Sequence, residues 1–480
     1  MPVMEQWQLR AAFAQRLSAM YGREVPAYAT LVDVSQEVNE DVLRRSGANA
    51  ERLGSIGRVT AERHGAIRVG TPEELNQVAR IFGALGMRPV GFYDLREAAT
   101  SAVPVVSTAF RPVDAEELAR NPFRVFTSLL TTGDPQFFDP ELRTRIDRFL
   151  GTRRIFPPRL LELADQAERE QELPEALGEE FLRLAVGAFR LSREPVDTSW
   201  YATLEKVSSV AADIAGVRST HVNHLTPRVL DIDELYRRMT GRGVEMICRI
   251  QGPPRWSGPD VLLRQTSFRA LAEPRRMRGA DGVIKTGALR VRFGEVEARG
   301  IALTRKGRAH YDTLLAEIDR RVEATPGTSR AEIARAVWEG GFPATERGLA
   351  ERGLAFFTYQ LRRERTRDGR YPPTTVTELV DQGWVTAEPI VYEDFLPRSA
   401  AGIFQSNLTG AGTRNDAITG IGYDPAWLAG AIDREVLDPF DLYEHQQARS
   451  IQTIGQRLKL DHAAVERPAS LTTALKGKES

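Results

Sequence analysis

The chain has 480 residues, 42% hydrophobic and 27% charged, enough to bury a sizeable core and to form about two to four domains. Its 65 basic residues balance 65 acidic ones, which excludes a general electrostatic pull toward nucleic acid or anionic lipid. A single cysteine, Cys248, excludes an internal disulfide framework, a Cys-based zinc finger and a Cys-ligated iron–sulfur cluster. In chain order, residues 1–55 read as helical, because LRAAFAQRLSAMY spaces its apolar residues by three and four. The opening MPVMEQWQLRAAFAQRL reads as an amphipathic helix, not a signal peptide. No apolar run approaches the ~18 residues of a membrane span. The expected location is the cytoplasm, with no nucleic-acid or membrane partner.

Residues 56–113 read as strand, helix, strand, strand. RHGAIRVG is the first strand, a helix follows over 72–85, and RPVGFYDL and VPVVSTAFRPV are the next two strands. Thr71 suits an N-cap, Pro72 the first helical position and Glu74 the third position of a capping box. Residues 114–215 read as a helical insertion, carried by ELRTRIDRFL, PRLLELADQAERE and EEFLRLAVGAFRL. Residues 216–305 return to strand and helix, then to the strand-like runs VEMICRIQG, DVLLRQTSFRAL and LRVRFGEVEARGIALT. Residues 306–465 read as mostly helical, broken by an apolar segment over 388–406. Residues 466–480 are polar and read as a disordered tail.

An internal repeat is the strongest signal. HGAIRVGTPEEL, from His64, and HLTPRVLDIDEL, from His224, align without a gap as His-x-x-x-Arg-Val-x-x-x-acid-Glu-Leu. Each copy is a strand opened by histidine, then a turn, then a helix. Period-two alternation puts His64 and Arg68 on one face of their strand, and His224 and Arg228 on one face of theirs. The predicted fold is therefore α+β. Two such modules packed as pseudo-symmetric halves form a cupped mixed sheet around a metal site, with a large helical insertion and a helical C-terminal region. Two imidazoles leave a metal incomplete, and a strand carboxylate would finish a facial triad suited to non-haem Fe(II). Glu295 and Glu297 share a strand face, and spacing does not choose between them. Gly294 beside them permits close approach of another chain segment. Gln265 and Ser267, on a neighbouring strand, are candidates to steady the ligands, as is Glu297. His221 falls on the opposite strand face from His224, and Arg228 reads as a salt-bridging arginine. His310, His445 and His462 read as surface residues, and TGAGTRND and TGIGYD as loops.

ERHGAIRVGT, STAFR, NPFRVFTSLL, HVNHLTPRVLDID, LLRQTSF, RFGEVEARGIALT and VYEDFLPRSAAGIFQSN, spread over about residues 20–410, carry a resemblance. They resemble the 2-oxoadipate dioxygenase/decarboxylase (hydroxyglutarate synthase) family of the vicinal oxygen chelate superfamily, and the resemblance implies that the two modules are βαβββ units. The resemblance implies Fe(II) held by His64, His224 and Glu295, with Glu295 preferred over Glu297. It implies a dioxygenase that decarboxylates 2-oxoadipate with O2 to (R)-2-hydroxyglutarate and CO2, in lysine catabolism. It makes Arg68 the substrate-selecting arginine and puts Arg398 and Ser399 in the substrate pocket. Here the chain departs from the family, in which an apolar residue is expected where Arg398 stands. Arg68 has a geometric rationale as well. Four residues from His64 on one strand face, its Cα lies ~13 Å away, and the guanidinium can reach back toward the far carboxylate of a chelated diacid. The competing readings are a non-redox metalloenzyme of the same superfamily, a Zn or Mn isomerase or lyase, and a catalytically silent oxo-acid-binding protein.

Overall fold

The computed structural model describes residues 2–97, 103–290, 292–362, 371–396, 403, 407 and 413–460. Two long helices open the chain, α1 (Gln6–Glu24) and α2 (Pro26–Ser46). The first repeat then gives β1 (Arg63–Val69) and α3 (Pro72–Gly83), followed by β2 (Arg88–Asp94), β3 (Val105–Arg111) and β4 (Arg124–Leu130). The insertion follows and ends in α4 (Ser209–Ala215). The second repeat gives β5 (His224–Pro227) and α5 (Ile232–Gly241), then β6 (Leu263–Phe268) and β7 (Gly294–Arg299).

The two helices that follow the repeat strands start in the same way. The Thr71 hydroxyl accepts from the Glu74 amide at 3.1 Å, and the Asp231 carboxylate accepts from the Glu234 amide at 3.0 Å. Both side chains satisfy a first-turn N–H that has no partner within the helix. Glu74 does not close a capping box on Thr71. Its carboxylate accepts instead from the Gly70 amide at 2.7 Å and from Arg153 of the insertion at 2.6 and 2.7 Å.

The first module ends later than the sequence suggests. Its fourth strand, β4, lies inside the segment expected to be a helical insertion, 114–215. RVFTSLL is buried at every position and runs parallel to β1. A strand covered on both faces shows no alternation, so period-two reading misses it. Two hairpins were also unexpected. Glu273–Arg278 pairs with Ile284–Leu289 inside the second module, and Phe357–Leu361 pairs with Val385–Pro389 in the C-terminal region.

Strands β2, β3, β4, β1 and β5 form one sheet in that order. β1 and β5 are antiparallel, with Gly65 opposite Leu225. Beyond β5 the ladder continues into β7 through a parallel bridge between Arg228 and Glu297, and β7 pairs antiparallel with β6. Bridges from Met246 to Phe268 and from Gln251 to Gln265 extend it by one more segment. The two modules thus meet along β1 and β5, and each has its last strand parallel to its first. A Cβ at Gly294 would collide with the Phe268 ring of β6, so glycine there allows the β6–β7 approach.

One core joins the sheet, the two N-terminal helices and the insertion. Phe13 of α1 meets Phe82, Phe123 and Phe189 edge-on at 6.5, 5.8 and 5.9 Å. Such pairs add about 0.5–1.5 kcal/mol each beyond the area they bury. A second core lies under the C-terminal helices, around the fully buried Trp338. Among the described residues no helix is long and apolar enough to cross a membrane.

Tyr21 of α1 clamps the two strand entries nearest the site. Its hydroxyl lies 2.9 Å from the Asn223 carbonyl and 2.8 Å from the Phe293 carbonyl, so its proton is shared between them. Asn223 precedes His224, and Phe293 lies two residues before Glu295. Tyr21→Phe is expected to lower stability by about 1–3 kcal/mol, measured as a shift in urea midpoint with an unchanged slope. An unshifted midpoint would mean that the two carbonyls do not depend on Tyr21.

Candidate metal centre

The β1–β5 register sets His64 opposite Thr226 and Ala66 opposite His224. Both histidines therefore project from one face, and their rings lie 5.5 Å apart at 82°. Glu295 of β7 joins them. Its Oε2 lies 3.5 Å from His64 Nε2, and its Oε1 lies 3.5 Å from His224 Nδ1. One donor atom from each of the three residues falls within 4.8 Å of the others, and all three residues are buried. Among the described residues His224 Nδ1 has no hydrogen-bond partner. A buried polar atom without a partner is costly, and a cation between these three groups would satisfy it. Two imidazoles and one carboxylate are a donor set suited to Fe(II).

Glu297 shares the face of Glu295 but faces the other side of His64. Its Oε2 is 3.0 Å from His64 Nδ1. Arg299 donates to its two oxygens at 2.7 and 3.0 Å, and Arg124 Nη1 lies 3.7 Å away. Burial opposes the charge on Glu297, yet Arg299 and His64 hold its pKa down to about 2. A fixed anion at Nδ1 favours the tautomer that leaves Nε2 bare toward Glu295. The surrounding groups treat the two histidines differently. Burial disfavours charge on both. Glu297 and Glu295 outweigh it at His64 and raise its pKa, whereas His64 and Arg68 add to it at His224 and push that pKa well below the ordinary range. Burial raises the pKa of Glu295.

Behind Glu297 lies a buried lattice of charge. Glu62 accepts from Arg124 at 2.8 Å and from Arg228 at 2.9 Å. Glu393 accepts from Arg124 at 2.6 Å and from Arg58. Asp394 accepts from Arg111 at 2.7 and 3.0 Å. Arg228 is thus a salt-bridging arginine, and the lattice fixes the strand ends that carry Glu297 and His64.

Arg68 is buried on the face of His64, and its guanidinium donates to Asp213 of α4. Asp213 also accepts from the Asn223 amide at 2.8 Å and lies 3.1 Å from His221 Nε2. The arginine is therefore tied to the segment that leads into His224. Burial opposes charge on Asp213, but His221 and Arg68 hold its pKa below the usual carboxylate range. Sequence reasoning missed Asp213, which sits in an ordinary capped helix 145 residues from its partner.

Gln265 and Ser267 stand opposite Glu297 and Glu295 on β6. The Ser267 hydroxyl accepts from the Asn407 amide at 2.7 Å. Phe395 meets His64 edge-on, with ring centroids 5.0 Å apart, and Phe126 packs on Phe395 at 5.1 Å. Phe126 has a particular place in the repeat. It lies opposite Ala66 on β4, as Glu295 falls opposite Thr226 on β7 when the Arg228–Glu297 bridge sets the register. Ala66 and Thr226 are matched in the repeat, so Phe126 is the counterpart of Glu295. The first module puts an apolar ring where the second puts a carboxylate. Arg398 and Ser399 lie outside the described residues.

Comparison with known proteins settles the family. A profile described as 2-oxoadipate dioxygenase/decarboxylase matches residues 13–407. The chain belongs to the 2-oxoadipate dioxygenase/decarboxylase family. A relative of that name from Mycobacterium tuberculosis (strain ATCC 25618 / H37Rv) is 55% identical over 437 residues, covering 91% of this chain and 96% of its own. One from Pseudomonas putida is 42% identical over 464 residues, covering 94% and 97%. The crystal structure of the P. putida hydroxyglutarate synthase in complex with 2-oxoadipate superposes with a TM-score of 0.80 at 40% identity. That likeness covers 95% of this chain and 99% of the other.

Proposed function

We propose that this chain is an Fe(II)-dependent dioxygenase that converts 2-oxoadipate and O2 into (R)-2-hydroxyglutarate and CO2. The observation that carries this reading is the buried cluster of His64, His224 and Glu295 with Arg68 beside it, in a member of this family. The relatives' shared name and the 2-oxoadipate held by the P. putida protein support the substrate. The equation balances: a six-carbon oxo diacid and one O2 give a five-carbon hydroxy diacid and one CO2.

His64, His224 and Glu295 would hold the iron. When bound, iron supplies O2 activation and a chelation point for the 2-oxo acid end of the substrate. The other residues bind, orient and keep out water. Arg68, pinned by Asp213, pairs with the far carboxylate and selects a diacid over a monoacid. Glu297 keeps the proton of His64 at Nδ1. Phe126 and Phe395 cover the site and exclude water. Arg398 and Ser399 are further pocket residues on family resemblance. Lysine catabolism and a cytoplasmic location extend the reading on the same ground.

Anaerobic reconstitution with Fe(II), then addition of 2-oxoadipate and O2, tests it. The expected result is one CO2 and one 2-hydroxyglutarate for each O2 consumed. Turnover that needs a divalent metal but no O2 would replace the proposal with a non-redox reaction. Binding of iron and oxo acid without O2 uptake would make the chain a silent binding protein.

A further inference from the structure

Arg68 stands in β1 opposite Ser128 of β4, and Ser128 stands opposite Ser107 of β3. The three side chains form one row across the sheet, on the face that carries His64. Neighbouring members of the row have Cα atoms ~5 Å apart. Both serines are buried, and their hydroxyl oxygens lie 2.9 Å apart. Two hydroxyls carry two protons, and the contact between them uses one. The other proton has no acceptor among the described residues.

The repeat shows what is unusual about this row. Arg228 is the counterpart of Arg68, and Glu297 lies across from Arg228. By the same register Ser128 is the counterpart of Glu297. The second module sets a carboxylate across from its arginine. The first sets a short hydroxyl there, with another short hydroxyl behind it. That puts short side chains and a spare donor in line with Arg68, which suits an incoming carboxylate. Asp213 reaches Arg68 from helix α4, not from this row.

We propose that Ser128, backed by Ser107, completes the subsite for the far carboxylate of the oxo diacid and sets the length of diacid that fits. Ser128 donates to that carboxylate beside the Arg68 guanidinium. The small side chains at 107 and 128 leave room for a six-carbon substrate. This rests on the reading of Arg68 given under the proposed function.

The test measures KM and kcat of the iron-loaded protein with three acids: 2-oxoadipate, the shorter diacid 2-oxoglutarate and the monoacid 2-oxohexanoate. Ser128→Ala is expected to raise the KM for 2-oxoadipate about tenfold, the loss of one charge-assisted hydrogen bond, with the KM for 2-oxohexanoate nearly unmoved. Ser128→Val fills the space and is expected to shift preference toward 2-oxoglutarate. Ser107→Ala removes the backing hydroxyl and is expected to act in the same direction as Ser128→Ala, so the proposal stays testable if one variant does not fold. Circular dichroism melts identify such a variant. Equal effects on diacid and monoacid, or none on either, would overturn the serine subsite. Wild-type and Arg68→Ala proteins are run beside these. If wild type consumes no O2 with 2-oxoadipate, or if Arg68→Ala keeps full diacid preference, the underlying reading fails and the subsite falls with it.

Discussion

Glu295→Ala is expected to weaken iron binding by more than about a hundredfold and to abolish O2 uptake with 2-oxoadipate, while Glu297→Gln keeps the iron site and weakens it by about ten- to a hundredfold. The two glutamates share one strand face, and both are buried against His64. Their roles differ in what each one touches. Glu295 spans His64 Nε2 and His224 Nδ1, both at 3.5 Å. Glu297 meets only the far nitrogen of His64, and two nitrogens of Arg299 occupy its oxygens. Removing Glu295 takes away the carboxylate of the triad and leaves two imidazoles to hold the ion. Glutamine at 297 still accepts from Arg299 but no longer presents a full charge to Nδ1. Iron content by elemental analysis and an anaerobic iron titration read both variants without relying on turnover. A Glu295→Ala protein that keeps stoichiometric iron, or two variants with the same affinity, would refute this division of roles.

Arg68→Ala is expected to cut kcat/KM for 2-oxoadipate by about a hundredfold or more and to leave iron content intact. The guanidinium is buried and fixed by Asp213, so its orientation is settled before substrate arrives. Pre-set orientation favours bidentate pairing with a carboxylate. Arg68→Lys keeps the charge but loses the planar fork, and should recover only part of the loss. Asp213→Asn should weaken diacid preference without removing iron, because it loosens Arg68 while the triad keeps its atoms. Parallel assays with 2-oxoadipate and 2-oxohexanoate measure this. Diacid kinetics that Arg68→Ala leaves unchanged would remove Arg68 from the substrate site.

Much of this centre is local information. His64 and Arg68 share a seven-residue strand, and the helices after both repeat strands begin at the matched positions Thr71 and Asp231. A reader of residues sees both modules begin and sees two carboxylates on one strand face. The closing strand of the first module was hidden, because RVFTSLL is buried on both sides and has no alternation. Asp213 was hidden because a side-chain partner 145 residues away leaves no periodic trace. For the same reason that hid β4, the insertion predicted from residue 114 begins only after that strand.

Residue order alone settles which chemistry is on offer: two strand-opening imidazoles, an arginine one reach beyond each, and acidic residues that alternate onto a common face. Those features follow from chain geometry over a few residues, where period and side-chain type suffice. Which of them meet depended on the pairing of β1 with β5 and on the bridge from Arg228 to Glu297. Alternation assigns a side chain to a face but not to a row, and the row comes from the register between strands far apart in the chain. That register gives Glu295 to both histidines, Glu297 to the back of one and Ser128 to the row of Arg68.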